Sequence, residues 1–590
     1  MCGIFSLLNN IQHYNYNYGI HFNTDFINKQ FLKGKNRGPE FSKLEIQNNI
    51  ILGFHRLAIN GLNDESNQPI VIDGISLICN GEIYNYKELY NLMNVTSETN
   101  SDCEVIIHLY KLYGIEQTLQ MLDGVFSFVL YDNKNMIEEP FIYIARDPYG
   151  VRPLYKLIPN CPDEDIYGFS SELKVLNEFC LNGKYTVNHF KPGTYSSFTL
   201  PLIVSAKWTL KDNNKPYHNN GFNSIMYYDN NLSKIIENIQ YYFTNAIKKR
   251  TLVTERPIAC LLSGGLDSSL VTALVNEIHK ENSTQPLETY SIGLKGSEDL
   301  KYARIVADYL GTKHTEVILN EKDFFDAIPE VIEKIESYDT TTVRASIGNY
   351  LVSKYISQNS DAKVIFNGDG SDELTGGYLY MHKVPDCIEF DKETRRLLDD
   401  IHMFDVLRSD KCISSNGLEP RTPFLDRSFV QYYLSIPSYI RSHANTKKCE
   451  KFLLRTAFSK EHFLNSLGKP LLPDNIIWRK KEAFSDGVID STRTLGSIIE
   501  DYIKIESIIE NGCYIPFFTD KNNKNIHNNP NTREKLYYRN TFNNLYPNME
   551  HLVPYFWMPK YVEATDASAR TLTIYSNENI LIDETENCII

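Results

Sequence analysis

The 590-residue chain predicts two units in series. The first is a pair of stacked antiparallel sheets flanked by helices, and the second is a largely parallel α/β sheet with helices on both faces. Three observations carry this. The length exceeds the ~250–300 residues at which single cores stop growing. Up to about residue 200 the apolar residues fall in short alternating runs with Gly and Asn turns between them. Beyond about residue 230, short apolar runs alternate with helical periodicity.

In the first unit, strands are expected at 3–8, 51–59, 75–79, 125–131, 141–145 and 167–170. A helix is expected over 103–113, where Val105, Ile106, Leu109 and Tyr113 share one face. A polar stretch over 206–230, with Asn213-Asn214 and Asn219-Asn220, reads as the linker between units 1–205 and 231–575. Residues 576–590 read as a flexible tail. In the second unit the strands are 258–262, 287–292, 316–319 and 363–366, with helices following the first two to about 280 and 310.

Composition narrows the partners. A net charge of −14 and a pI near 5.6 argue against nucleic acid and anionic membranes, and favour small-molecule substrates. Eleven scattered cysteines without a C-x-x-C pair suggest reduced thiols in a cytoplasmic compartment. Residues 1–8 lack the basic start of a secretory signal, and no run of about 18 apolar residues offers a membrane span.

Ser263-Gly264-Gly265-Leu266-Asp267-Ser268-Ser269 follows an apolar strand ending at Leu262 and opens an amphipathic helix. That order puts backbone N–H groups and a helix dipole where an anion is stabilised. The alternative is a plain turn with Asp267 or Ser268 as the helix cap. Asn367-Gly368-Asp369-Gly370-Ser371-Asp372-Glu373 also follows a strand, and packs three carboxylates around two glycines. Magnesium on a nucleotide needs few protein oxygens, so Asp267 and Asp372 are the expected pair, against the alternative that they cap helices.

Cys2 would carry both a thiol and a free α-amine once Met1 is removed. The amine, with a pKa of ~7.7–8.0, can act as base for the thiol. The alternative is a small apolar residue opening a strand. Asn80-Gly81 can aim a side-chain amide and a backbone N–H at one oxyanion, or form a hairpin turn. Arg56 and Asp102 suit the α-carboxylate and α-ammonium of an amino acid.

Met1 to Phe5, Asn36-Arg37-Gly38-Pro39, His55-Arg56-Leu57-Ala58, Asn80 to Asn85 and Arg146 to Leu154 together resemble the class II glutamine amidotransferases, which are N-terminal-nucleophile hydrolases of αββα sandwich fold. The resemblance implies that Cys2 attacks the glutamine amide, releasing ammonia and leaving a thioester for water to cleave. It implies glutamine contacts at Arg56, Leu57, Ala58, Ile59, Asn60, Asn80, Gly81, Glu82 and Asp102, with Asn80 and Gly81 as oxyanion donors. Asn36 stands where the family usually has His.

The Ser263 to Ser269 loop followed by the acidic loop resembles the ATP pyrophosphatase type of synthetase. With the first unit, and with matches through Tyr338 to Ser346, Arg421 to Asp426, Trp478 to Gly487 and Trp557 to Lys560, the chain is similar to the glutamine-hydrolysing asparagine synthetases. The implied substrates are glutamine, aspartate and ATP with Mg²⁺, and a β-aspartyl-AMP intermediate is expected. ATP contacts fall on Leu262, Ser263, Gly264, Gly265, Asp267, Ser268, Ile292, Asn367 and Gly368. Asp369 is linked to forming the acyl-adenylate, Thr341 and Arg344 to aspartate, and Lys481 to the phosphates. Asn367 and Asp369 replace the usual Ser and Glu. A homodimer is among the assemblies this reading allows. Two rivals stay open: a β-lactam-synthetase-like enzyme acting on another carboxylate, which an intact Cys2 disfavours, and an inactive binding scaffold. Amidotransferases with sugar isomerase or phosphoribosyltransferase units lack the Ser263 to Ser269 loop.

Overall fold

A computed structural model describes residues 2–10, 22–47, 49–133, 139–162, 164–202, 207–219, 231–446, 448–481, 487–488, 495–511, 527–564, 566 and 568. The first six-stranded sheet uses β1 (Gly3–Leu8), β2 (Phe41–Gln47), β3 (Ile50–Arg56), β8 (Tyr155–Pro159), β9 (Tyr167–Ser170) and β10 (Tyr185–His189), in the order β10-β8-β9-β1-β3-β2. The second uses β4 (Ile70–Ile72), β5 (Ile75–Ile83), β6 (Gly124–Asp132), β7 (Phe141–Arg146), β11 (Thr194–Thr199) and β12 (Thr209–Pro216), in the order β12-β11-β7-β6-β5-β4. Every pairing in both sheets is antiparallel.

Because side chains alternate along a strand, β1 serves two cores. Ile4 and Leu8 meet Leu52, Ile78 and Val129 between the sheets. Phe5 and Leu7 point the other way, onto Phe31 and Leu173 and into an apolar cluster that continues through Val331, Tyr338 and Ile347 of the second unit. The helices Tyr86–Met93 and Val105–Met121 cover the outer face of the second sheet. The result is helix, sheet, sheet, helix.

Two strand expectations change at their ends. The strand expected to reach residue 59 stops at Arg56, and the one expected over 75–79 runs on to Ile83. The stretch 206–230, expected as a linker, contains β12, which pairs with β11 as an edge strand. Its residues are mostly exposed, so its polarity marks a solvated edge and not a connector. Residues 220–230 and the expected tail lie outside the described residues.

The third sheet is wholly parallel: β13 (Ile258–Leu261), β14 (Glu288–Leu294), β15 (Lys313–Leu319), β16 (Val364–Phe366) and β17 (Glu419–Arg421), in the order β15-β14-β13-β16-β17. The chain leaves β13 toward one edge and returns on its other side. That places a crevice at the carboxyl ends of β13 and β16, where ligands bind in such sheets. Within this sheet β17 is the strand the sequence does not suggest, since Pro420 sits in it; Pro is tolerated there because β17 is an edge.

Candidate active sites

Cys2 lies at the head of β1, nearly buried, with its backbone N–H donated to Asn80 Oδ1 at 3.2 Å and its thiol directed at Leu57 O, 3.7 Å away. Burial pushes the thiol up to about 11, against the pull of Arg56. It is therefore a protonated thiol at neutral pH. Asn80 and Gly81 are not a hairpin turn. They lie within β5, opposite Ser127 and Phe126, and a Cβ at Gly81 would come within 2.5 Å of Val125 O. Ser171 Oγ accepts from Ile4 N and from Asn80 Nδ2, and so fixes Asn80 against β1.

The stretch Leu57–Asn60 leaves β3 and is buried beside this point. Asn60 Nδ2 donates to Glu82 Oε2 at 2.7 Å. Arg56 donates through Nη1 to Asn63 O and Asn67 Oδ1, both at 2.9 Å, and through Nη2 to Gly61 O, so it shapes the loop that follows it. Asp102 accepts the Ile83 N–H at 2.7 Å, and burial pushes its carboxyl up to about 6. Burial, with Asp102 and Glu419 nearby, raises Glu82 well above the usual carboxylate range. Asn36 is exposed. Arg37 supports the loop, with Nε on Cys2 O at 3.0 Å and Nη1 on Glu172 and Asp410. His55 stacks on Phe31 and meets Phe31 O at 2.9 Å. Gly38 is required here, because a Cβ would meet the His55 backbone at 2.3 Å.

Arg37 also begins a buried ionic network across the two units. Asp410 takes Arg37 and Arg152, Arg152 faces Glu419, and Arg421 joins Glu419 to Glu82. Lys411 joins Glu172 to Glu336. Asp410 and Lys411 belong to the helix Asp405–Ser414, whose other residues Arg408 and Ser409 reach Asp369 and Asn367 in the second site.

That second site is a cavity of about 240 Å³ at the switch point. Leu262, Ser263, Gly265, Asp267, Ser268, Ile292, Thr341, Asn367, Gly368, Asp369, Asp372 and Lys481 all line it. The loop is not a capping turn. No side chain caps the helix Leu266–Asn282 at Gly265, and Ser268 Oγ instead meets Ser263. Gly264 turns away from the cavity at φ +72°, where a Cβ would strike the backbone of Tyr302 and Ala303. It makes the turn and is not in the lining.

Charge is concentrated where the two loops meet. Lys451 bridges Asp267 and Asp372, and Lys481 lies 2.6 Å from Asp372 and 4.0 Å from Asp267. Burial alone would raise the Asp372 carboxyl, but the two lysines hold it below the usual range. Asp369 Oδ1 accepts from Arg408 at 3.1 Å while Oδ2, buried, has no hydrogen-bond partner; burial raises this carboxyl. Arg479 reaches Ser263 O and Asp299 and stacks over Tyr302. Lys451, Arg408 and Arg479 were not singled out from the sequence. Arg479 lies inside the motif from Trp478, whereas Lys451, in a left-handed turn just before the helix Phe452–Ala457, and Arg408, on the helix Asp405–Ser414, belong to no motif.

Arg344, expected to address aspartate, is not among the described residues that line the cavity, although its neighbours Thr341, Thr342 and Ala345 are. It lies on the helix Thr340–Asn359 and is saturated by two carboxylates, with Nε and Nη2 on Glu534 and Nη1 and Nη2 on Asp566. A guanidinium forked between two acids has its donors engaged. Nearby, Asp339 Oδ1 accepts the Trp557 N–H at 2.7 Å and Thr341 Oγ1 meets Trp557 O at 3.3 Å, which brings Trp557 and Pro559 into the cavity wall. Part of the quoted motif from Trp478, residues 482–486, lies outside the described residues.

Comparison with known proteins matches both halves. Residues 1–196 match the family described as glutamine amidotransferase domain, and residues 238–389 and 384–565 match asparagine synthase. The asparagine synthetase [glutamine-hydrolyzing] of Gallus gallus is 42% identical over 575 residues, covering 92% of this chain and 96% of its own. That of Homo sapiens is 40% identical over 571 residues, with the same coverage.

Proposed function

The chain belongs to the glutamine-hydrolysing asparagine synthetases, and from that premise we propose how its residues divide the reaction. The enzyme forms asparagine from aspartate with ATP and the amide nitrogen of glutamine. In the first unit, an N-terminal-nucleophile hydrolase on this reading, the Cys2 thiol attacks the glutamine amide carbon. Since burial keeps the thiol protonated, a base is needed, and removal of Met1 would supply it as the α-amine at the nitrogen now donated to Asn80. Asn80 Nδ2 and the Gly81 N–H stabilise the oxyanion, ammonia leaves, and water cleaves the thioester. Asp102 meets the glutamine ammonium, and Arg56 holds the loop that receives the rest.

In the second unit the β-carboxylate of aspartate attacks the α-phosphorus of ATP and pyrophosphate leaves. Ammonia then attacks the acyl carbon and AMP leaves. The N–H groups around Ser263 to Ser268 cradle the phosphates, and Lys481 and Lys451 offset the charge that builds on pyrophosphate. Asp267 and Asp372, which face each other close enough to share Lys451, fit as holders of the Mg²⁺ that accompanies ATP. The ion would neutralise phosphate charge. A cytoplasmic location belongs to the same reading, which the scattered cysteines without a C-x-x-C pair support.

The observation that carries this reading is the coexistence of a buried Cys2 held by Asn80 and a separate cavity lined by two loops at one switch point. Cys2→Ala tests it. Glutamine-dependent asparagine formation should fall by about a thousandfold or more, while formation from added ammonia, with AMP and pyrophosphate as products, persists. Loss of both activities would count against two separable sites.

A further inference from the structure

The loop Ala58–Gly61 has left β3, so its backbone groups need partners from elsewhere. Glu40 and Arg56 of the first unit meet part of that need, at Ala58 N and Gly61 O, and the second unit meets the rest. Gly61 N donates to Glu255 Oε1 at 2.7 Å, Glu255 N donates to Ile59 O at 3.0 Å, and Arg256 Nε donates to Ala58 O at 2.9 Å. Arg256 Nη2 also meets Glu40 Oε1 at 2.9 Å, and the other oxygen of Glu40 accepts the Ala58 N–H at 2.7 Å. Gly61 stands at φ +60°, and a Cβ there would come within 2.3 Å of Ser66 Oγ, so this flexible residue cannot be exchanged for a stiffer one. The loop is rigid only if something outside it makes it so.

The next residue in sequence faces the strands that carry the other site, at their starts. Pro257 O accepts the N–H groups of Lys363 and Val364 at 3.0 and 3.3 Å, where β16 begins, and β13 starts at Ile258. Of three consecutive residues, Glu255 and Arg256 therefore hold the loop beside Cys2, and Pro257 holds the root of the strand whose far end carries the acidic loop, next to the start of the strand that carries the phosphate loop.

We propose that Glu255 and Arg256 are positioning residues for glutamine use, a clip by which the synthetase unit holds the Ala58–Gly61 loop in its binding shape. This rests on the reading of Arg56 to Asn60 as the glutamine-binding stretch. An exposed ion pair such as Arg256 with Glu40 contributes little by itself. The bonds that matter are those from charged side chains to loop backbone, which are the stronger class.

The test uses the full-length enzyme with Glu255→Ala, Arg256→Ala and the double variant, assayed for glutamate released from glutamine and separately for asparagine formed from ammonia. The double variant should raise KM for glutamine roughly tenfold at little change in kcat, while ammonia-supported synthesis stays within about twofold of the parent. Glu255→Gln, which keeps an oxygen for the Gly61 N–H, should restore most of the glutamine affinity. An unchanged glutamine KM in the double variant would overturn the proposal, and so would a parallel loss of ammonia-supported synthesis, which would mark a general structural role. If glutamine is not the substrate, the parent enzyme itself releases no glutamate, and that failure is visible before any variant is made.

Discussion

The two sites are built on opposite plans. Around Cys2 the candidate groups sit on or beside antiparallel strands, and Cys2 is fixed by backbone and amide hydrogen bonds to Asn80 and Leu57. At the switch point the groups sit on loops and helix ends around an open cavity, where Lys451, Lys481, Arg408 and Arg479 face Asp267, Asp372, Asp369 and Asp405. The first site positions a neutral thiol that must be activated. The second holds opposed charges that a polyanionic substrate has to rearrange. Precision in one comes from the ladder, and in the other from mutual attraction, which persists only while every partner is present.

That contrast can be broken at three places. Arg344→Ala has the largest expected effect, because it leaves Glu534 and Asp566 without their shared cation. Removing one partner from so buried a group should destabilise by roughly 3 kcal/mol, read as a lower thermal midpoint, and aspartate affinity should fall with it. A stable variant that only loses aspartate affinity would return Arg344 to the role of direct ligand. Asp102→Asn comes next. With its carboxyl at about 6, Asp102 is neutral at low pH and charged above it, so kcat/KM for glutamine should rise as pH passes 6 and flatten in the variant. The loss at neutral pH should be on the order of tenfold, as for a charged hydrogen bond. Stability runs the other way: a carboxyl raised in the folded state contributes fully below the unfolded value of about 3.9, and that contribution is lost as pH rises through 6. Asn36→His is the smallest. Being exposed, it should shift stability and glutamine KM by no more than about 0.5 kcal/mol equivalent, whereas Arg37→Met at the next residue should impair glutaminase activity severely.

Much of this was legible in the sequence for a physical reason. β1, β9 and the strand before Ser263 announce themselves because buried strands are apolar runs, and phosphate loops because they need small residues at fixed spacing. What stayed hidden is long-range. β12 reads as a linker because it is a polar edge, and β17 is masked by Pro420. Lys451 is separated from Asp267 by 184 positions and gains its meaning only from that contact. The partners of Arg344 stay hidden for the same reason. Its motif placed it next to the cavity, but Glu534 and Asp566, about 190 and 222 positions away, decide where its guanidinium goes.

The apolar cluster that begins on the outer face of β1 does not stop at the boundary between the units: Phe5 and Leu7 share it with Val331, Tyr338 and Ile347. The two halves are thus modular as catalysts but not as bodies. A glutaminase fragment cut before residue 231 would present a bare hydrophobic face to water, and a synthetase fragment would present its mirror. Melting should accordingly run as a single cooperative transition, with neither half outliving the other. Two chemistries that could be exchanged as cassettes on paper are held together by one unfolding event.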